Sequence, residues 1–244
     1  VRTRPRFWAL VVLVVSLTAT FVLWSGARQE SERQLQLDFD LVVANTVSRV
    51  KAELVAHELL LKGVKGLFST NGYVSRGDFH RYFSALELRT RNSGFSALAY
   101  HELVPSEELG AHLDSMRREG FSDYRIAPAG DRRVYAPLIY IEPFDGSNRN
   151  ILGFDPLAVD AEREAIERAR DTGAMTISGK LVLAQDHGEM APGFVMYVPI
   201  YRYGFPATDQ ALRQQNFIGW VDAPYRIADL MSRILPDGLK DTDF

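Results

Sequence analysis

The chain has 244 residues, 46% of them hydrophobic and 24% charged, a balance that supports a folded core and excludes intrinsic disorder. A net charge of -3 excludes a global basic field for nucleic acid. The absence of cysteine excludes disulfides, thiolate chemistry and Cys-ligated zinc or iron–sulfur sites.

Phe7 to Trp24 carries no charge. As a helix it is about 27 Å long at ~1.5 Å per residue, close to the hydrocarbon thickness of a bilayer. Arg2, Arg4 and Arg6 precede it without an acidic partner, so residues 1–6 are expected as a cytoplasmic tail and 7–25 as a transmembrane helix, with the remainder outside. A cleaved signal peptide ending near Ser25-Gly26-Ala27 is the competing reading. Residues 26–70 are expected to form a long stalk helix. Val43, Val47, Val50, Leu54, His57, Leu61, Val64 and Phe68 alternate in steps of four and three, the repeat of a helical seam. That seam suits pairing with a second copy or packing on the chain's own domain. His57 reads as a polar residue tolerated in a core.

Turn residues at Asn71-Gly72 and Ser75-Arg76-Gly77 separate the stalk from a second helix with Phe79, Tyr82, Phe83, Leu86 and Leu88 on one side. From Gly94 the period changes. Strands are expected at 95–100, 124–126 and 134–141, with Ser106 capping a helix to Gly120 and Asp145–Asn150 forming a turn. Ile151–Asp155 leads into a helix over Val159–Asp171 that ends at Thr172-Gly173. Residues 175–184 and 193–203 form a strand pair across Asp186-His187-Gly188, followed by a strand at Phe217–Val221 and a helix at Tyr225–Leu235. The fold class is α+β, with strands and helices interleaved around a mixed sheet.

Catalytic motifs are missing from this order. The sequence contains no GxGxxG, phosphate-binding loop, GxSxG or HExxH, and Ser48-Arg49-Val50-Lys51 matches SxxK only inside the stalk helix. One acid stands out. Asp155 follows an apolar segment and precedes Pro156, among Phe154 and Leu157. A carboxylate enclosed there must either satisfy backbone amides at the start of the following helix or accept donors from a ligand.

The succession Tyr135–Pro143, Gly153-Phe154-Asp155, Arg163-Glu164-Ala165, Ala169–Gly173 and Val198–Tyr201 resembles the CHASE domain, the extracytoplasmic sensory module of receptor histidine kinases, nucleotide cyclases and plant cytokinin receptors. The resemblance extends over about residues 40–235. It implies two stacked PAS-like subdomains: a membrane-distal ligand-binding one at 71–203 and the start of a proximal one at 204–244, left incomplete. In the cytokinin-binding members an aspartate after the Gly-apolar strand binds the purine, and Asp155 matches it. Gln185 stands where those members carry a small hydroxyl residue, which argues against cytokinin itself. Gln185, with Tyr197 and Val198 on the closing strand, is expected to reshape the pocket for another small molecule, which closes the sheet around Asp155 and an apolar wall of Tyr140, Phe154, Leu183 and Tyr197. The resemblance further implies a small-molecule sensor with no cofactor and no catalysis in this region, anchored in a bacterial inner membrane, dimerising through the stalk and feeding a cytoplasmic output domain beyond this chain. A ligand-free dimerisation or protein-interaction module is the alternative.

Overall fold

The computed structural model describes residues 4–70, 72–86, 97–186 and 191–234. The chain divides into two compact units, Val1–Ala52 and Glu53–Phe244. Helix α1 runs without a break from Arg4 to Thr70, through the border expected between membrane segment and stalk. Pro5 stands in its first turn, where a missing N–H costs nothing.

In the first unit, Phe7, Trp8, Leu13, Leu17, Phe21 and Trp24 are exposed. Among the described residues α1 is the one helix long and apolar enough to cross a membrane. The hydroxyls of Ser16, Thr18 and Thr20 donate to the carbonyls of Leu13, Val14 and Ser16, so these polar groups within the apolar run are satisfied inside the helix.

In the second unit, the end of α1 packs inward. Leu61, Val64 and Phe68 are buried and Leu54 and Leu67 pack against the same cluster, whereas Val43 and Val47 of the first unit are exposed. The seam thus takes the intramolecular reading over its second half. Helix α2 (Arg76–Ala85) adds Phe79 and Phe83 to that core. Its start is fixed by a capping box in which the Ser75 hydroxyl accepts from the Asp78 amide and the Asp78 carboxylate accepts from the Ser75 amide, an arrangement worth about 1 kcal/mol.

The centre of the unit is an antiparallel sheet. In chain order its strands are β1 (Leu98–Glu102), β4 (Leu138–Glu142), β5 (Thr176–Ile177), β6 (Leu181–Val182), β7 (Pro192–Tyr201) and β8 (Phe217–Arg226). They lie side by side as β4-β1-β8-β7-β5, with β6 also on β7. Two short strands, β2 (Val104–Pro105) and β3 (Val134–Tyr135), pair apart from it. Alternation along the strands sends Leu98, Tyr100, Met196, Val198, Val221 and Tyr225 toward α1 and α2. The opposite face carries Val195, Tyr197 and Trp220 against Ala165, Ile166 and Ala169 of α4 (Asp160–Thr172). Trp220, Tyr197 and Tyr225 are wholly buried, each contributing about 2–3 kcal/mol of transfer energy. Helices α3 (Leu109–Arg118), α5 (Gln210–Asn216) and α6 (Ile227–Ile234) complete the layers.

This is the α+β fold expected, with differences in detail. The expected proximal subdomain at 204–244 contributes β8 to the middle of the same sheet, between β1 and β7, so the border at residue 203 falls between two paired strands. Tyr124–Ile126 forms no strand, and the extended contact there is a single bridge between Ala127 and Phe154. Ser106 opens a 3-10 turn before α3 without capping it, its hydroxyl bonding Glu107 instead. Residues 134–141 split into β3 and β4 around Pro137, and 175–184 into β5 and β6. Asn71, Leu88, Phe95-Ser96, His187-Gly188 and Leu235 lie outside the described residues.

Candidate ligand site

The α4-facing side of the sheet does not close completely. A half-open cavity of about 40 Å³ lies between β1, β8, the turn around Phe154 and Pro156, α4, and the segment Leu181–Gln185. It holds the volume of a few waters. The strand alternation that buries Trp220 also points Asp222 and Pro224 to this side, and on β1 it points Ala99 and His101 there.

Polar groups meet at its wall. His101 Nδ1 lies 3.0 Å from the carbonyl of Ala136 and Nε2 lies 3.2 Å from Asp222 Oδ2. An acceptor thus stands on each side of the ring, an arrangement that favours its doubly protonated form. Burial opposes that charge, but ionised Asp222 and the Ala136 carbonyl more than offset it and raise the His101 pKa. The ring stacks on Trp220 at 5.0 Å, and Trp220 Nε1 donates to the same Asp222 oxygen at 3.0 Å. Glu162, in the first turn of α4, accepts from the Tyr197 hydroxyl at 2.6 Å. Burial pushes its carboxyl up to about 7, with the Asp222 charge adding to the effect.

The loop side of the cavity is held from β8. Arg226 donates through Nε to both oxygens of Asp186, at 3.1 and 3.0 Å. This fixes the adjacent Gln185, which is buried and whose Nε2 has no hydrogen-bond partner among the described residues. A buried amide donor left unpaired costs about 1–3 kcal/mol, and this one stands at the cavity wall.

The family model of the CHASE domain matches residues 72–244. The chain belongs to the CHASE domain family. CHASE domains are extracytoplasmic sensory modules, and residues 72–244 form one. No curated protein matches the chain. Among solved structures, the ligand-binding domain of the Pseudomonas aeruginosa PAO1 amino acid chemoreceptor PctC, in complex with GABA, is similar at 14% identity with a TM-score of 0.44. That likeness covers 78% of this chain and 62% of the PctC chain.

Within the CHASE domain the residues singled out from sequence separate into three groups. Phe154, Leu183 and Gln185 line the cavity. Tyr197 reaches it through Glu162. Asp155 does not line it, although Phe154 and Pro156 on either side do. Its carboxylate is wholly buried, accepting from the Leu157 amide at 3.0 Å and from Arg132 Nη1 at 2.9 Å. Of the two readings left open by the sequence, the structure shows the capping one, on a 3-10 turn at Pro156–Ala158.

Tyr140 and Val198 lie on the opposite face of the sheet. Tyr140 donates to the Val74 carbonyl at 3.0 Å and borders a separate cleft of about 460 Å³ that also involves Tyr100, Glu102 and His112. Sequence reasoning missed His101, Glu162 and Asp222. A signal for Glu162 existed: it lies three, four and seven residues before Ala165, Ile166 and Ala169, which puts it on the buried stripe of α4.

Proposed function

We propose that this protein is the extracytoplasmic small-molecule sensor of a receptor in a bacterial inner membrane, and that its ligand enters the cavity between the sheet and α4. Residues 7–25 act as the anchor and 26–70 as the stalk, through which two copies pair along the exposed stripe of Val43 and Val47. The single observation that carries the ligand assignment is the unpaired, buried amide of Gln185, on a largely apolar cavity wall that also carries His101, Glu162 and Asp222. A side chain held in that state gains a partner only when something occupies the space beside it. Output passes to a cytoplasmic domain beyond this chain, because a ligand signals through its different affinities for two arrangements of the sensor.

The test is a thermal-shift screen of the chain in detergent against small amines, acids, alcohols and purines. A ligand at 100 times its Kd adds about 2.7 kcal/mol of stability. Ala184→Phe, at the half-exposed rim of the cavity, is expected to abolish that shift while leaving the unliganded melting temperature within a few degrees. A shift that survives Ala184→Phe undiminished places the ligand elsewhere and overturns the assignment.

A further inference from the structure

Resting on the assignment of the cavity as the ligand site, we infer that its ligand is a small protonated amine, received by the carboxyl groups of Glu162 and Asp222 and by the amide of Gln185.

The wall contains two carboxyl groups and one histidine. The histidine is already committed, because its Nε2 lies 3.2 Å from Asp222 and any charge on the ring is balanced there. What remains uncompensated is Glu162, whose hydrogen bond to Tyr197 uses one oxygen. The second oxygen has no hydrogen bond among the described residues. A carboxylate ligand would meet Glu162 and Asp222 as like charges. A neutral alcohol would give Glu162 no countercharge where it is ionised, above about 7. An ammonium group supplies both donors and charge, and a short amine fits a space of about 40 Å³. Gln185 Nε2, a donor, would pair with an acceptor on the same molecule, so amino alcohols are favoured over plain alkylamines.

Entry of a cation next to Glu162 favours its ionised form, so binding is coupled to loss of the Glu162 proton. The titratable groups facing Glu162 are Tyr197 from β7, Asp222 from β8 and His101 from β1. Asp160 and Arg163, on its own helix, pair with each other at the surface. Below about 7 Glu162 is protonated in the empty site, and the cation must displace that proton. Affinity is therefore expected to rise about tenfold per pH unit between 5 and 6.5 and to level off above 7.5.

The experiment is isothermal titration of the full chain in detergent with ethanolamine, ethylamine, propanol and acetate, at pH 5.5, 6.5 and 7.5. The expected result is binding of ethanolamine and ethylamine that strengthens with pH, with proton release to the buffer, and no binding of propanol or acetate. Glu162→Gln is expected to weaken amine binding at least tenfold at pH 7.5 and to remove the proton release. Gln185→Leu serves as a second variant, expected to weaken ethanolamine more than ethylamine. Amine binding without pH dependence, or undiminished in both variants, overturns the inference. Binding of propanol or acetate alone, lost in Ala184→Phe, also overturns it but leaves the cavity as a ligand site. Absence of binding by all four probes, together with an empty thermal-shift screen, overturns both.

Discussion

Asp155 is the residue that the resemblance to cytokinin-binding members selects, and its surroundings give it a structural task. One oxygen caps the turn that begins at Pro156 and the other neutralises Arg132, whose Nη2 also donates to the Pro128 carbonyl at 2.6 Å. The carboxylate thus ties the 128–135 segment to the turn that feeds α4. Asp155→Ala leaves a partly buried guanidinium and a backbone amide unpaired, and a loss of about 3 kcal/mol is expected. Urea unfolding followed by tryptophan fluorescence measures it, with Asp155→Asn expected to lose less because it keeps the cap. A variant as stable as the parent would show that both donors find water without penalty. The proposed ligand contacts fall instead to residues with unsatisfied capacity, Glu162 and Gln185. They differ from Asp155 in that both residues line the cavity.

Elements that bury one face were legible in the sequence, and those whose geometry depends on distant contacts were not. The stalk, α2 and α4 follow from helical spacing with caps at Ser75 and Gly173, and β7 follows from its unbroken apolar run. The site was legible in part. Tyr197 and Val198 are neighbours on one strand, so alternation alone forbids both from lining one cavity. Tyr140 left the expected wall because the pairing of β1 with β4 shifts register between Tyr100 and His101: Tyr100 pairs with Tyr140 and His101 with Leu138. Ile139 is the extra residue, and such a bulge turns the side chains beyond it over. β8 was cut short because Asp222 and Pro224 interrupt its apolar pattern, although both face the cavity. Gly153 is fixed by an equally non-local contact: at φ +88 a Cβ there would stand 2.1 Å from the Arg125 carbonyl oxygen. That close approach allows the Ala127–Phe154 bridge. Gly153→Ala is expected to cost roughly 2–4 kcal/mol in a chemical denaturation experiment, and a cost below about 1 kcal/mol would mean that the 125–127 segment gives way freely.

At the scale of the molecule, β8 joins the cavity to the helix that leads out of the domain. Asp222 faces the cavity, and three residues on Tyr225 faces the other side of the sheet and packs on His57 of α1, with ring centroids 5.0 Å apart. Beyond Arg226 the chain enters α6, where Arg233 pairs with Glu53 of α1 at 2.7 Å. A shift of β8 by a ligand pressing on Asp222 and Pro224 therefore reaches α1 at two contacts, through a strand whose packed neighbours resist independent movement. Hydrogen exchange measures this directly. A compound that stabilises the protein in the screen is expected to slow amide exchange in β1 and β8 and also in Leu54–Phe68 of α1. Arg233→Ala, which removes one of the two contacts, is expected to reduce the effect in α1 and leave that in β1 unchanged. Protection confined to the sheet, with α1 exchanging at its unliganded rate, would show that β8 absorbs the ligand's push without moving the helix.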